Sequence, residues 1–236
     1  MKIRYAVLII ALIIILDQAL KIWIKTNYPL GHVTDMMGFE WAQLYFIENK
    51  GMAWGWEWGG TWGKMFLTLF RLAAVIFGTW YIRRIILQGY SRGFIICASL
   101  IYAGALGNLI DSMFYGLIFD KGMLTDPATH SVINYSGIAH LTSSGGYAGF
   151  LHGNVVDMLY FPMIDTTFPD WMPWVGGKPF EFFSPIFNVA DASISVGVIT
   201  LLLFQKRLVH RKDEAHQPSS SDAAATLDDE PAVVNS

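Results

Sequence analysis

The chain has 236 residues, 53% of them apolar and only 15% charged, with a formal net charge of −3. That balance excludes a nucleic-acid partner, which would need a basic surface, and fits a membrane protein rather than one soluble domain. The single cysteine, Cys97, lies in the apolar run Phe94-Ile95-Ile96-Cys97-Ala98, so no internal disulfide framework exists.

Four stretches are long and apolar enough to cross a hydrocarbon core, which takes about 20 helical residues. They run from Tyr5 to Ile24, Met65 to Ile82, Gly93 to Tyr115 and Pro185 to Phe204. The expected fold class is an all-α polytopic membrane protein with four transmembrane helices and a small extracytoplasmic part holding a β-containing cradle and a surface loop. Residues 1–210 form the membrane domain, and 211–236 a polar, acidic cytoplasmic tail with the composition of a disordered segment. An even number of spans puts both termini on one side. Nine of the 16 Lys and Arg flank that side (Lys2, Arg4, Arg83, Arg84, Arg92, Lys206, Arg207, Arg211, Lys212), against five in the longer opposite loops (Lys25, Lys50, Lys64, Lys121, Lys178). Basic residues are retained in the cytoplasm, so the termini are expected inside and the loops 25–64 and 116–184 outside.

Span one follows Lys2 and Arg4 and has the beginnings of a cleaved signal peptide. It lacks a small-residue cleavage pattern, continues through Asp17-Gln18-Ala19-Leu20-Lys21-Ile22-Trp23 and ends in an interfacial aromatic, so it reads as a retained helix. Asp17 and Lys21 stand at i and i+4 on one face and neutralise each other, a structural clamp ahead of direct chemistry. In the first outer loop, Trp41 to Ile47 alternates as a short strand does. The Trp-rich stretch Gly51 to Trp62 fits either a segment lying along the bilayer surface or the aromatic core of a small outer domain. Span two carries Arg71, a counter-ion for a nearby acid.

Span three ends with Gly104-Ala105-Leu106-Gly107-Asn108-Leu109-Ile110-Asp111-Ser112. The two glycines admit a close neighbouring helix, and Asn108 and Asp111, three apart, project from nearly one face, where polar glue between helices would also account for them. In the second outer loop, residues 117–152 are rich in Gly, Ser and Thr and read as an irregular insertion with freedom to move. The apolar run Asn154 to Tyr160 follows, carrying Asp157. Ser184 and Pro185 have the pattern of a helix N-cap and first helical residue, which would set Asp191 about 10 Å into span four. Taken alone, Asp191 fits a carboxylate bonded to Asn108 or a serine. The convergence of Asp17, Asp111, Asp157 and Asp191 on the outer half weighs against that reading.

No His or Cys grouping has metal-ligand spacing and no His-Glu-x-x-His occurs, which disfavours a zinc peptidase, and no metal or cofactor is expected. Gly89-Tyr90-Ser91-Arg92-Gly93 matches the serine-hydrolase elbow but lies in a short cytoplasmic loop without the strand-to-helix context or a triad partner. What remains is carboxylates. Two of them sharing a proton activate water for amide hydrolysis. A proton-coupled transporter or channel also uses intramembrane acids, although four spans without a visible repeat argue against a transporter. A non-catalytic scaffold is the third reading.

The chain resembles lipoprotein signal peptidase, or signal peptidase II, the bacterial membrane aspartic peptidase. Five motifs carry the likeness in order: Asp17-Gln18 to Lys21; Asn49-Lys50-Gly51-Met52-Ala53-Trp54; Gly104 to Asp111; Val155-Val156-Asp157; and Phe187-Asn188-Val189-Ala190-Asp191. The resemblance implies Asp157 and Asp191 as catalytic dyad. It implies Asn49, Gly51, Asn108, Asp111, Asn188 and Ala190 as substrate-binding or supporting residues, and Asp17 with Lys21 as a structural pair. It further implies cleavage before a diacylglyceryl-modified cysteine at the outer face of the bacterial inner membrane. The enzyme would act as a monomer, with lipidated prolipoproteins and membrane lipids as partners. Two positions depart from the family pattern. Ser112 stands where the family usually has Arg, for which Arg71 is expected to substitute as the charge partner of Asp111, and 117–152 replaces a short connection.

Overall fold

The computed structural model describes residues 1–49, 60–126, 131–182 and 185–209. Among them four helices are long and apolar enough to cross a membrane. They are α1 (Ile3–Asn27), α2 (Gly60–Leu87), α3 (Arg92–Ile110), which runs on through a π-helical turn (Asp111–Tyr115) into α4 (Gly116–Ile118), and α5 (Val189–Leu208). Local chemistry sets several ends. Pro29 disfavours a helical Tyr28, which is extended at φ −126° and ψ 144°. Ser91 caps α3 by accepting from the Phe94 N–H at 3.2 Å.

One boundary differs in kind. Pro185 is not the first helical residue; the helix starts at Val189 with Asn188 as its N-cap. The reason is a competing partner, because Phe187 forms a backbone bridge to Leu159 and keeps the chain extended up to Asn188. Asp191 is thus the third residue of α5, only about 4.5 Å along its axis. Ser184 lies outside the described residues.

Helix α3 is the centre of the bundle, with α1, α2 and α5 packed around it. Between helices in lipid no hydrophobic force assists association, so close backbone approach supplies the contact. A Cβ on Gly104 would overlap the Ala190 carbonyl and the side chains of Ser193 and Ile194, and one on Gly107 would press on Asp17 and Ala190. Gly104→Val is accordingly expected to push α5 off α3, at about 1–3 kcal/mol. A lower Tm in detergent and reduced turnover together would show it, and an unchanged Tm would contradict the close approach. The outward faces, among them Leu8, Leu12, Ile15, Phe70, Phe77, Leu202 and Leu203, stay exposed, as helices solvated by lipid require.

At one end of the bundle sits a three-stranded antiparallel sheet in the order β1-β2-β5: β1 (Val33–Met36), β2 (Phe39–Asn49) and β5 (Val155–Tyr160). The strand expected at Trp41 to Ile47 lies within β2. Met37 and Gly38, with φ of 53° and 79°, make the two-residue turn between β1 and β2. Two small hairpins, β3 (Leu124–Thr125) with β4 (Val132–Ile133) and β6 (Ile164–Thr167) with β7 (Pro179–Phe182), decorate the loops. Beyond α4, the described residues of segment 117–152 are largely irregular, as expected, broken only by β3 and β4; Val132, Ile133, Leu141 and Phe150 stay exposed while other parts pack against the sheet. Phe119 and Ala139, flanked by Tyr135 and Tyr147, join Ile24, Phe46, Tyr115, Val156 and Met158 in one apolar core against the sheet. A few aromatics do the burying there, and a Gly/Ser/Thr-rich background conceals them.

Candidate active site

Side chains alternate along β5, so Val156 and Met158 enter the apolar core while Asp157 faces the helices. Pairing with β2 sets Ile47 opposite Asp157 and Asn49 opposite Val155. From there the Asn49 side chain hydrogen-bonds to Asp157. The bridge between β5 and Phe187 then brings the start of α5 to the same place: Leu159 N donates to Phe187 O at 2.7 Å and Phe187 N to Leu159 O at 3.0 Å. Asn188 follows immediately.

Asn188 touches both acids. Its Nδ2 donates to Asp157 Oδ1 at 2.6 Å, and its Oδ1 accepts from Asp191 N at 2.9 Å. Its own N–H donates to Asp191 Oδ2 at 3.3 Å, closing a capping box. Asn108 of α3 donates from Nδ2 to the other Asp191 oxygen at 2.7 Å. Asp157 is 2% exposed, whereas Asp191 is only partly buried. Burial pushes the Asp157 carboxyl up to about 7, the neighbouring Asp191 carboxylate adds to the rise, and Lys21 with the bonds from Asn188 and Asn49 pulls the other way.

Beneath the two acids lies a buried charge cluster. Lys21 Nζ is 2.8 Å from Asp17 Oδ2, 2.8 Å from Asp111 Oδ2 and 2.9 Å from Asn108 Oδ1. Gln18 Nε2 donates to Asp111 Oδ1 at 2.8 Å, and Ala190 N to Asp17 Oδ1 at 2.9 Å. Asp111 Oδ2 also accepts from Val156 N at 3.4 Å, tying α3 to the strand that carries Asp157. The expected pairing of Arg71 with Asp111 is corrected: Lys21 is the cation on Asp111, and Arg71 Nη1 donates to Ser112 Oγ at 3.1 Å. Depth explains the difference, because Lys21 reaches Asp111 from the adjoining helix at the same level. The Arg71 guanidinium interacts electrostatically with Asp191 most strongly, then with Asp111 and Asp157. Among the described residues every buried side-chain nitrogen and oxygen has a partner, and no three His, Cys, Asp or Glu side chains are grouped as metal ligands.

The sequence model of signal peptidase (SPase) II matches residues 9–206. The chain belongs to the signal peptidase II family. The lipoprotein signal peptidase of Porphyromonas gingivalis is 43% identical over 205 residues, covering 85% of this chain and 82% of that protein. That of Amoebophilus asiaticus is 31% identical, covering 91% and 84%. A solved structure described as a bacterial membrane enzyme superposes with a TM-score of 0.54 at 21% identity, covering 92% of this chain and 94% of the other, which shows a shared fold. As a signal peptidase II, the protein is an aspartic peptidase that removes signal peptides from prolipoproteins.

Of the residues expected at the site of this signal peptidase II, the structure brings Asp157, Asp191, Asn49, Asn108 and Asn188 into direct contact or one side chain apart. Asp111, Asp17 and Lys21 lie one layer behind. Ala190 serves through its N–H and its small Cβ against Gly107. Gly51 lies outside the described residues. Sequence reasoning left Gln18, Tyr115, Lys25, Glu48 and Asn154 without roles. Tyr115 Oη donates to Gln18 Oε1 at 3.1 Å, Lys25 pairs with Glu48, and Asn154 Nδ2 donates to Glu48 Oε2 at 2.8 Å. One signal was present: Asp17, Lys21 and Lys25 recur at i, i+4 and i+8, a polar stripe on one face of an apolar helix.

Proposed function

We propose that Asp157 and Asp191 hydrolyse the prolipoprotein as a water-activating pair, cleaving the peptide bond just before a diacylglyceryl-modified cysteine. The observation that carries this is Asn188, a single side chain hydrogen-bonded to both acids. Asp157, whose carboxyl burial raises, is the member of the pair that holds the shared proton. Water bonded to Asp191 gives up a proton and attacks the carbonyl carbon, while Asp157 donates its proton to the carbonyl oxygen. As the C–N bond breaks, Asp191 passes its new proton to the leaving nitrogen, and Asp157 regains its own from the gem-diol.

The basic ends of α1, α2, α3 and α5 all lie away from the sheet, which supports cytoplasmic termini and a site at the outer face. A partly buried Asp191 in the first turn of α5 is then level with the membrane surface, where a lipid-anchored peptide and its signal helix enter sideways from the bilayer. Asn49 edges the place where small residues before the cysteine would fit.

The pH–rate profile and the product test the reading together. Only protonated Asp157 can act as acid, and its protonated fraction falls as pH rises through about 7. kcat is therefore expected to decline on the alkaline side around that pH, with a product whose first residue is the lipidated cysteine by mass spectrometry. A rate that stays flat from roughly one pH unit below that value to roughly two above it would remove Asp157 from the acid role.

A further inference from the structure

A second buried ion pair lies behind the sheet, on the face opposite the acids. Lys25, 1% exposed, pairs with Glu48 of β2. Its Nζ lies 5.0 Å from the ring centre of Phe119 and 5.2 Å from those of Tyr135 and Tyr147, an aromatic cage built by 117–152. Glu48 accepts as well from Tyr135 Oη at 3.0 Å, Met123 N at 2.8 Å and Asn154 Nδ2 at 2.8 Å. Asn154, the residue before β5, is held in turn by Tyr147, whose Oη accepts from its N–H at 2.7 Å.

The position of Glu48 matters because the β2–β5 ladder is broken just before it. Leu44 pairs with Leu159 but Ile47 with Asp157, so three steps on β2 oppose two on β5, a bulge. Only the short run from Ile47 to Asn49 then carries the register to the site. A slip of one residue there would turn Asn49 from the Asp157 face to the opposite one. Glu48 points to the rear, between those two residues, and its donors come from α1, the 117–152 segment and the start of β5.

We propose that Glu48 is a positioning residue that fixes the register of β2 after the bulge and thereby holds Asn49 on Asp157, with segment 117–152 as the fixture that grips it. The inference rests on Asp157 being catalytic. The groups facing Asp157 are Asp191 of α5, Lys21 of α1, Arg71 of α2, and the amides of Asn188 and Asn49. Asn49 is the one that Glu48 controls.

The test is steady-state kinetics on purified full-length enzyme with a lipidated prolipoprotein. Glu48→Ala is expected to lower kcat about tenfold or more with a smaller change in KM. Loss of the Asn49 bond disfavours ionised Asp157, so the alkaline limb should move up by roughly half to one pH unit. Asn49→Ala should move it equally, and the double variant no further. Lys25→Met/Glu48→Gln keeps the shape and one oxygen to accept from Met123 N and Asn154 Nδ2, with an amide nitrogen able to donate to Tyr135 Oη, all without the buried charges, and should recover most of the lost turnover. Should Glu48→Ala fail to fold, Tyr135→Phe, which removes one bond, is expected to shift the limb in the same direction. A Glu48→Ala or Tyr135→Phe enzyme with the wild-type limb, while Asn49→Ala shifts it, would overturn the positioning role. Turnover surviving in Asp157→Asn would instead overturn the dyad on which it rests.

Discussion

Asp157→Asn and Asp191→Asn are each expected to reduce cleavage of a lipidated prolipoprotein by roughly 10³-fold or more, since each removes a proton-transfer group of the proposed pair. Both variants should fold. The amide introduced by Asp157→Asn retains an oxygen to accept from Asn188. The one introduced by Asp191→Asn retains an oxygen for a single donor of the former pair, at a cost of about 1 kcal/mol of capping. The double variant should be little worse than either alone, because two groups sharing one proton fail as a unit. Single-turnover assays on protein of verified Tm read this directly. Persistent turnover in both single variants would end the dyad reading, leaving the family assignment intact but its chemistry to be found elsewhere.

Lys21→Met is expected to be the most damaging change outside the two acids. It leaves Asp17 and Asp111 buried at 1% and 0% exposure without their shared cation. Removing one partner from a buried pair costs about 3–5 kcal/mol, because the stranded charge is the expense. A large fall in Tm should follow, together with a loss of activity, since Asn108 loses the Nζ that holds its Oδ1 and so orients its Nδ2 toward Asp191. Adding Asp111→Asn to Lys21→Met removes one stranded charge and should recover part of the Tm. An enzyme with Lys21→Met and the Tm of the wild type would show that the cluster is solvated rather than buried.

The spans were legible because a bilayer imposes length and apolarity on consecutive residues, and those are local properties. Strand β2 was half legible from the alternation of Trp41 to Ile47, but β1 and β5 were not, since their partners lie far along the chain. The start of α5 was misplaced because Ser184-Pro185 satisfies the helix-start rule locally, while the bridge from Phe187 to Leu159 that overrides it is a tertiary contact. Asp157, Asp191 and most of their supports were singled out through motif resemblance, and the structure gathers them in one place. The meeting of the two acids on Asn188 depends on that same bridge and no spacing reveals it. Arg71 was assigned to Asp111 by proximity in the membrane, which cannot rank it against Lys21 on another helix. Glu48 and Tyr135 escaped notice for a different reason: each is an ordinary loop or strand residue until the other is placed beside it.

The bond from Ala190 N to Asp17 Oδ1 joins residues 173 positions apart in a chain of 236, so most of the membrane-spanning part is enclosed between them. Biogenesis inherits a rule from this. A nascent chain that stops before Phe187 carries α1 to α3 and Asp157 but has neither Asn188 nor Asp191. With the proposed dyad, hydrolysis would wait for the last span to insert.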